Sequence, residues 1–234
     1  MREKALEYLN RDFMLNVDII EGIKRGLVDI LYAENDGVLV KPKDGDAYML
    51  SVDCVQKAFE IVEKVQPFLL VMHQMDIKEQ LAERYGYSHG RECHHAVYIR
   101  TEPLPDSSFD IRPLTMEYAE LASKTYHMGD MEYITELIEK KILVGAFDGE
   151  TLMGFIGVHS EGAMGILEVL SEYRRRGIAQ ALEAYVINRT LEKGEVPYAQ
   201  IFADNKASLE LQRKLGLEIS ENHICWIWKE ELST

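Results

Sequence analysis

The sequence predicts an α/β protein in two parts, and three observations carry that reading. Apolar residues recur along the chain in short runs of period two, as strands require, between longer runs of period 3.6, as helices require. Residues 167–194 join a strand ending at Leu170 to a helix starting at Ile178, through a turn holding three arginines and a glycine. Residues 101–109, Thr-Glu-Pro-Leu-Pro-Asp-Ser-Ser-Phe, read as a linker from their prolines and serines. The chain therefore divides into an N-terminal α/β domain, residues 1–105, and a second domain, residues 110–234. With 234 residues and 47% hydrophobic side chains, it can bury cores for two ordinary domains.

In the first part, Ala5, Leu6 and Leu9 form one helical stripe; Val17, Ile20, Ile23 and Lys24 form a second, which stops at Gly26. Residues 28–33 and 38–41 are strands around Asn35-Asp36-Gly37, a hairpin turn. Residues 47–52 are a third strand. A helix follows over 53–65, with Asp53 as its cap and Pro67 beyond its end. Residues 68–72 read as a buried strand, 78–85 as a helix closed by Gly86, and 94–100 as another strand.

The second part opens with a strand at 111–115. Thr115 caps a helix to Tyr126, and Asp130 caps one to Lys140. Residues 143–147 and 152–159 are strands joined at Asp148-Gly149-Glu150, and 163–170 is the next. The helix over 178–193 is amphipathic, with Ile178, Ala181, Leu182, Tyr185, Val186 and Arg189 on one side. A short strand at 198–202 precedes a last helix that Asn205 starts and Gly216 stops.

A strand that delivers a small basic turn into a helix N-terminus builds an anion site. The first N–H groups of the helix lack carbonyl partners and point at whatever sits there. Gly177 lets the chain pass close to a bulky phosphate, Ala179 keeps the next turn uncrowded, and Arg174, Arg175 and Arg176 add positive charge. The expected ligand is a pyrophosphate. No G-x-x-x-x-G-K-[ST] is present, which argues against a nucleoside triphosphate loop. No G-x-G-x-x-G follows a strand, which argues against a dinucleotide site.

The spacing Arg174-x-x-Gly177-x-Ala179 resembles the R/Q-x-x-G-x-G/A signature of the GNAT-type N-acyltransferases. Residues 205–216 are similar to their N-x-x-S-x-x-L-Y-x-K-L-G segment, and the resemblance covers roughly residues 110–230. Ordinary helix ends would explain Asn205 and Gly216 alone, but not the order of basic turn, helix, strand and second helix. Membership implies a mixed, mostly antiparallel central sheet flanked by helices, preceded here by the smaller α/β domain. It implies acetyl-CoA as the acyl donor. The contacts it carries over are Leu167, Val169 and Leu170 on the strand, Arg174, Arg175, Arg176, Gly177, Ile178 and Ala179 at the turn, and Asn205, Ser208 and Gln212 on the last helix. A backbone N–H at Val169 or its neighbours would polarise the thioester carbonyl. The acceptor it implies is a primary amine of a small or amino-acid-like molecule.

One position departs from the pattern. The family carries a tyrosine seven residues after the asparagine, placed to protonate the leaving thiolate; this chain has Gln212. An amide can hydrogen-bond sulfur but cannot act as an acid. The competing function is therefore a catalytically weak or inactive coenzyme-binding regulator or partner-binding protein. The first half has its own parallel: Leu81-x-x-Arg84-Tyr85-Gly86 matches Leu211-x-x-Lys214-Leu215-Gly216. Where the phosphate turn would fall it reads Ser51-Val52-Asp53-Cys54, an acid without glycine or arginine. It is expected to be a degenerate, coenzyme-free copy of the same fold; an unrelated α/β cap is the alternative.

Acyl transfer to an amine needs a neutral amine, a polarised carbonyl and a leaving thiolate. Glu168 is the first candidate base, with its side chain opposite to those of Leu167 and Val169. A salt-bridged strand carboxylate is the competing reading. His159 is the second, with the intrinsic acidity for the task but also the position of an ordinary surface group. Tyr126, His127, Glu132 and Tyr133 lie near the join of the two helices that form the acceptor pocket in the family. His89, Cys93, His94 and His95 invite a metal reading. Adjacent strand residues point to opposite faces and no cysteine pair completes a set, so no metal is expected. Trp226 and Trp228 alternate on the last strand and read as packing.

A balance of 26 basic against 40 acidic residues gives a formal charge of −14. Nucleic acid and anionic membrane surfaces are repelled, and a cationic amine is attracted. Three scattered cysteines make no disulfide framework, the charged N-terminus does not read as a signal peptide, and no apolar run is long enough to span a bilayer. A cytoplasmic location is expected, with a homodimer the one assembly left open.

Overall fold

The computed structural model describes residues 1–230. The N-terminal half runs α1 (Arg2–Leu9), α2 (Phe13–Arg25), β1 (Val28–Glu34), β2 (Gly37–Pro42), β3 (Ala47–Val52), α3 (Val55–Val65), β4 (Leu69–Met72), α4 (Met75–Tyr85) and β5 (Tyr87–Val97). After the linker come β6 (Asp110–Pro113), α5 (Ala119–Thr125), α6 (Met131–Glu139), β7 (Val144–Asp148), β8 (Thr151–Val158) and β9 (Met164–Val169). The chain then forms α7 (Ile178–Glu192), β10 (Tyr198–Phe202), α8 (Lys206–Leu215) and β11 (Glu218–Lys229).

Local chemistry sets most of the ends. α2, α4 and α8 stop at Gly26, Gly86 and Gly216, each in the left-handed region where a side chain is disfavoured. Asp130 caps α6 by accepting from the Tyr133 N–H at 2.8 Å, and Asn205 caps α8 by accepting from the Ser208 N–H at 3.1 Å. Two expected caps are not formed. Asp53 pairs with Arg11 at 3.3 Å, and α3 begins after Cys54 without a side-chain cap. The Thr115 hydroxyl donates to Glu117 at 2.6 Å, and a single 3-10 turn at Met116–Tyr118 precedes α5. The strand expected at 94–100 begins instead at Tyr87 and ends at Val97. Its opening residues, Ser88 to Arg91, are exposed and carry no apolar alternation.

Among the described residues eleven strands share one sheet, in the order β1-β2-β3-β4-β11-β5-β10-β9-β8-β7-β6. Only β3–β4 and β9–β10 are parallel. The sheet is mixed and mostly antiparallel, with helices on its faces, as the resemblance implied. Each half sends its last strand into the other: β11 lies between β4 and β5, and β5 lies between β10 and β11. The helix order also repeats, two helices, three strands, then helix–strand–helix–strand. α1 and α2 pack around Ile19, Ile20 and Val38, and α3 and α4 around Leu50, Leu70 and Leu81. In the second half α7 and α8 bury Ile178, Leu182 and Leu209, while α5 and α6 bury Ile134, Phe155 and Ile166. Each such side chain stabilises the fold by about 1.5–3 kcal/mol.

Candidate functional site

The parallel pair β9–β10 holds together at one register, Met164 with Ala199. Beyond it β9 follows β8, where Val169 faces Gly154, and β10 follows β5, where Phe202 faces Cys93. The two strands part and leave a wedge in the sheet. Leu170 donates its N–H to the Met153 carbonyl of β8 at 3.0 Å. By the alternation of a strand, the Val169 N–H points the other way, into the wedge.

A bulge sets which side chains see which side. Ile166 is left-handed, at φ 55°, and the β8–β9 register shifts between Phe155 and Gly157. Leu167 and Val169 therefore pack with α7 and α8, while Ile166 packs with α5 and α6. Glu168 faces away from Leu167 and Val169. It is half-buried; burial pushes its carboxyl pKa up, opposed by Arg174 and His127 nearby.

The turn after β9 has the features of an anion cradle. Gly177 is the residue before α7, left-handed at φ 83°, and no side chain caps the helix. Its first N–H groups are therefore left for an external acceptor. Arg175 is also left-handed, at φ 62°, a strained state for a residue with a side chain. A Cβ added at Gly177 would meet nothing within 4 Å, so the space over the turn is open. Arg174 is tied back, donating from Nε to the Val169 carbonyl at 3.1 Å, and Arg176 lies over the Tyr173 ring. Arg175 and Arg176 are exposed. These groups fit a pyrophosphate: unpaired donors, positive charge and room.

The wedge continues into a cleft of about 680 Å³ built by both halves of the chain. Leu167, Gln200 and Ile201 lie along the wedge, and Asn205 and Ser208 border it from the start of α8. Tyr126, Met128 and Tyr133 line one side; Phe68, Trp226 and Trp228 line the other. The tryptophans, expected only to pack, thus face the cleft, and Trp226 Nε1 donates to Gln200 Oε1 at 2.9 Å. Of the two candidate bases, His159 lines the cleft. Glu168 belongs to the strand face turned from Leu167.

His159 sits in a tight turn, its N–H donating to the Ala163 carbonyl at 2.8 Å, and its ring lies against Gly165. A Cβ at Gly165 would overlap His159 Nε2. Gly165→Ala is therefore expected to displace the ring and destabilise the protein by about 1–3 kcal/mol, as overpacking does. Thermal unfolding of the single variant and of the same change in a His159→Ala background checks this. An equal loss in both backgrounds would remove the ring as the cause.

Three acidic residues that the sequence reading passed over also border the cleft: Asp46, Glu161 and Glu183. Glu161 lies in the β8–β9 turn and Glu183 inside α7. Neither position has a local sequence signature, because burial there depends on the opposite wall. Gln212 is fully buried, and its Nε2 donates to Glu183 Oε1 at 2.7 Å. The histidines of β5 separate: His89 stacks on Trp228, His94 meets His223 and His95 faces Asp18. Among the described residues no group of three or more His, Cys, Asp or Glu is placed to hold a metal, and no helix is long and apolar enough to cross a membrane.

Residues 143–227, from the start of β7 into β11, match the family described as FR47-like protein. No curated protein sequence matches the chain. Solved structures of similar shape include a Drosophila protein, 17% identical, covering 98% of this chain and 95% of its own, at a TM-score of 0.65. A GCN5-related N-acetyltransferase from Sphaerobacter thermophilus is 15% identical over 100% of this chain and 96% of its own, at 0.56. A tandem GNAT protein from the clavulanic acid biosynthesis pathway is 13% identical over 100% of this chain and 95% of its own, at 0.51. Together with the family match, these likenesses identify the fold as that of the GNAT superfamily.

Proposed function

We propose that this GNAT-fold chain is an N-acyltransferase that takes its acyl group from acetyl-CoA and passes it to the primary amine of a small or amino-acid-like acceptor. The observation that carries the reading is the uncapped start of α7 behind left-handed Gly177, set at the mouth of the β9–β10 wedge. A pyrophosphate bound at that turn directs the rest of the coenzyme along the wedge, past the Val169 N–H, into the cleft. In this reading that N–H binds the thioester carbonyl oxygen as charge develops on it. Asp46 and Glu161 favour a cationic amine at the other end. His159 lines the same cleft and can remove a proton from the amine, directly or through water. The cytoplasmic location belongs to this reading.

The N-terminal half supplies the wall with Phe68 and, through the exchanged strand, frames Trp226 and Trp228. We read it as the copy of the fold that shapes the acceptor side and binds no coenzyme. The second reading, a coenzyme-binding regulator, is favoured by one observation: the residue in the place of the family's tyrosine is buried and paired with Glu183.

Calorimetric titration with acetyl-CoA tests both. One site per chain is expected, followed by turnover when amines are added. Two sites would contradict a coenzyme-free first half, binding without turnover of any amine would favour the regulator, and no binding would end the coenzyme reading.

A further inference from the structure

We propose that Glu183 is the group that protonates the departing thiolate, in the place that Gln212 leaves without an acid. This inference rests on the acyltransferase reading and concerns how that reaction ends.

Four observations lead to Glu183. It lies on α7, the helix whose start forms the phosphate turn, and borders the cleft together with Asn205 and Ser208 of α8. It is 4% exposed, and no ion pair reaches it among the described residues. One carboxyl oxygen is held: Oε1 accepts from Gln212 Nε2 at 2.7 Å. The other, Oε2, has no hydrogen-bond partner, and neither has Gln212 Oε1. A buried polar atom left unpaired is destabilising by about 1–3 kcal/mol, so two together beside the cleft are open to a hydrogen bond from whatever occupies it.

The chemistry of the pair agrees with its placement. Removal from water disfavours the charged carboxylate and pushes Glu183 up to about 7, with the bond from Gln212 as the smaller, opposing effect. Near neutral pH a large share of the molecules therefore carry a proton there. Gln212 cannot supply one, but its amide fixes the carboxyl so that Oε2 is the free end. In the step, the amine nitrogen attacks the thioester carbonyl carbon; the C–N bond forms, the C–S bond breaks, and sulfur keeps the electron pair. Sulfur then takes the proton from Glu183 Oε2. The surplus proton on the nitrogen leaves to His159 or water, and Glu183 regains a proton from solvent once the thiol has gone. Thioester and amine become amide and thiol, with nothing left over.

The test uses the isosteric variant Glu183→Gln and begins with binding. Wild-type protein is expected to bind coenzyme A about fivefold tighter than desulfo-coenzyme A, the size of one ordinary hydrogen bond to the sulfur. Glu183→Leu should lose that preference, whereas Glu183→Gln should keep it, because an amide still hydrogen-bonds sulfur. With an amine acceptor, the turnover of Glu183→Gln should fall by about a hundredfold or more, and the decline of wild-type turnover above neutral pH should vanish with it. The double variant Glu183→Leu with Gln212→Tyr, which installs a phenol acid beside an apolar neighbour, should recover most of the loss. A sulfur preference absent from wild type or kept in Glu183→Leu, or turnover undiminished in Glu183→Gln, would overturn the role of Glu183 and leave the acyltransferase reading standing. Failure of wild-type protein to bind either coenzyme would instead overturn that reading.

Discussion

Replacing Asp18 by alanine is expected to destabilise the protein by about 3–5 kcal/mol, the loss that follows when a buried charge pair is broken from one side. Asp18 lies on α2 with its side chain fully buried, and it ties four elements together. Its oxygens meet His73 Nε2 at 2.9 Å, after β4, and Gln200 Nε2 at 3.0 Å, on β10; His95 Nε2 of β5 lies 3.3 Å away. The second nitrogen of each ring is committed as well. His73 Nδ1 faces the Leu50 carbonyl and His95 Nδ1 the Met14 carbonyl, both at 3.1 Å.

Truncating Asp18 leaves these partners unpaired in a site closed to solvent, which is why the loss exceeds that of a surface ion pair. Burial alone would raise the Asp18 pKa; His73 and His95 outweigh it and hold the carboxyl well below the usual carboxylate range. A depressed folded-state value means the contribution is fully present above the ordinary aspartate pKa and fades as pH falls below it. The variant should therefore unfold at a temperature roughly 6–20 °C lower than wild type near neutral pH, with the gap closing in acid. A shift no larger than that of an exposed ion pair would show that the network is not a fastener. Gln200, held by Asp18 and Trp226, also borders the cleft, so the same variant should weaken acceptor binding.

None of that network shows in the sequence, and the reason is physical. Asp18, His73, His95 and Gln200 are far apart along the chain, and each alone looks like a surface residue. What a sequence displays well are features whose cause lies within one turn or one helix. Gly26, Gly86 and Gly216 end their helices as read because the left-handed step is a local demand. The order of basic turn, helix, strand and capped helix at 174–216 is likewise local, and it pointed to the fold that the family match supports. The start of β5 was missed because His89 to Arg91 are held by pairing to β11 along one side, with no apolar face required of them. The exchange of β5 and β11 between the halves was missed for the same reason: pairing partners are set by the whole sheet. Glu183 lies outside the apolar side of its helix that the sequence displays, and only the approach of Gln212 and the cleft makes it a candidate.

Gly177→Glu should lower affinity for acetyl-CoA by roughly a hundredfold or more while leaving the fold nearly intact. The space above Gly177 is open, so the new side chain meets no protein atom at its Cβ. Its only internal penalty is the left-handed backbone at φ 83°, about 1–2 kcal/mol for a residue with a Cβ. Toward a ligand the effect is different. The carboxylate would stand where the uncapped N–H groups of α7 await an anion, and it would itself accept from them. A phosphate then loses two or so charge-assisted bonds and meets a like charge, each bond worth about 1.5–3 kcal/mol. Gly177→Ala separates the two effects, since it carries the same backbone strain without charge or length. The expected order of affinity is wild type, then alanine, then glutamate far below, measured by calorimetry with free coenzyme A and acetyl-CoA alike. Equal losses in both variants would assign the effect to backbone strain, and an unchanged glutamate variant would move the phosphate site away from this turn. A glutamate that binds the helix start in place of the ligand should also partly restore thermal stability relative to alanine, because it caps donors that the wild-type turn leaves open.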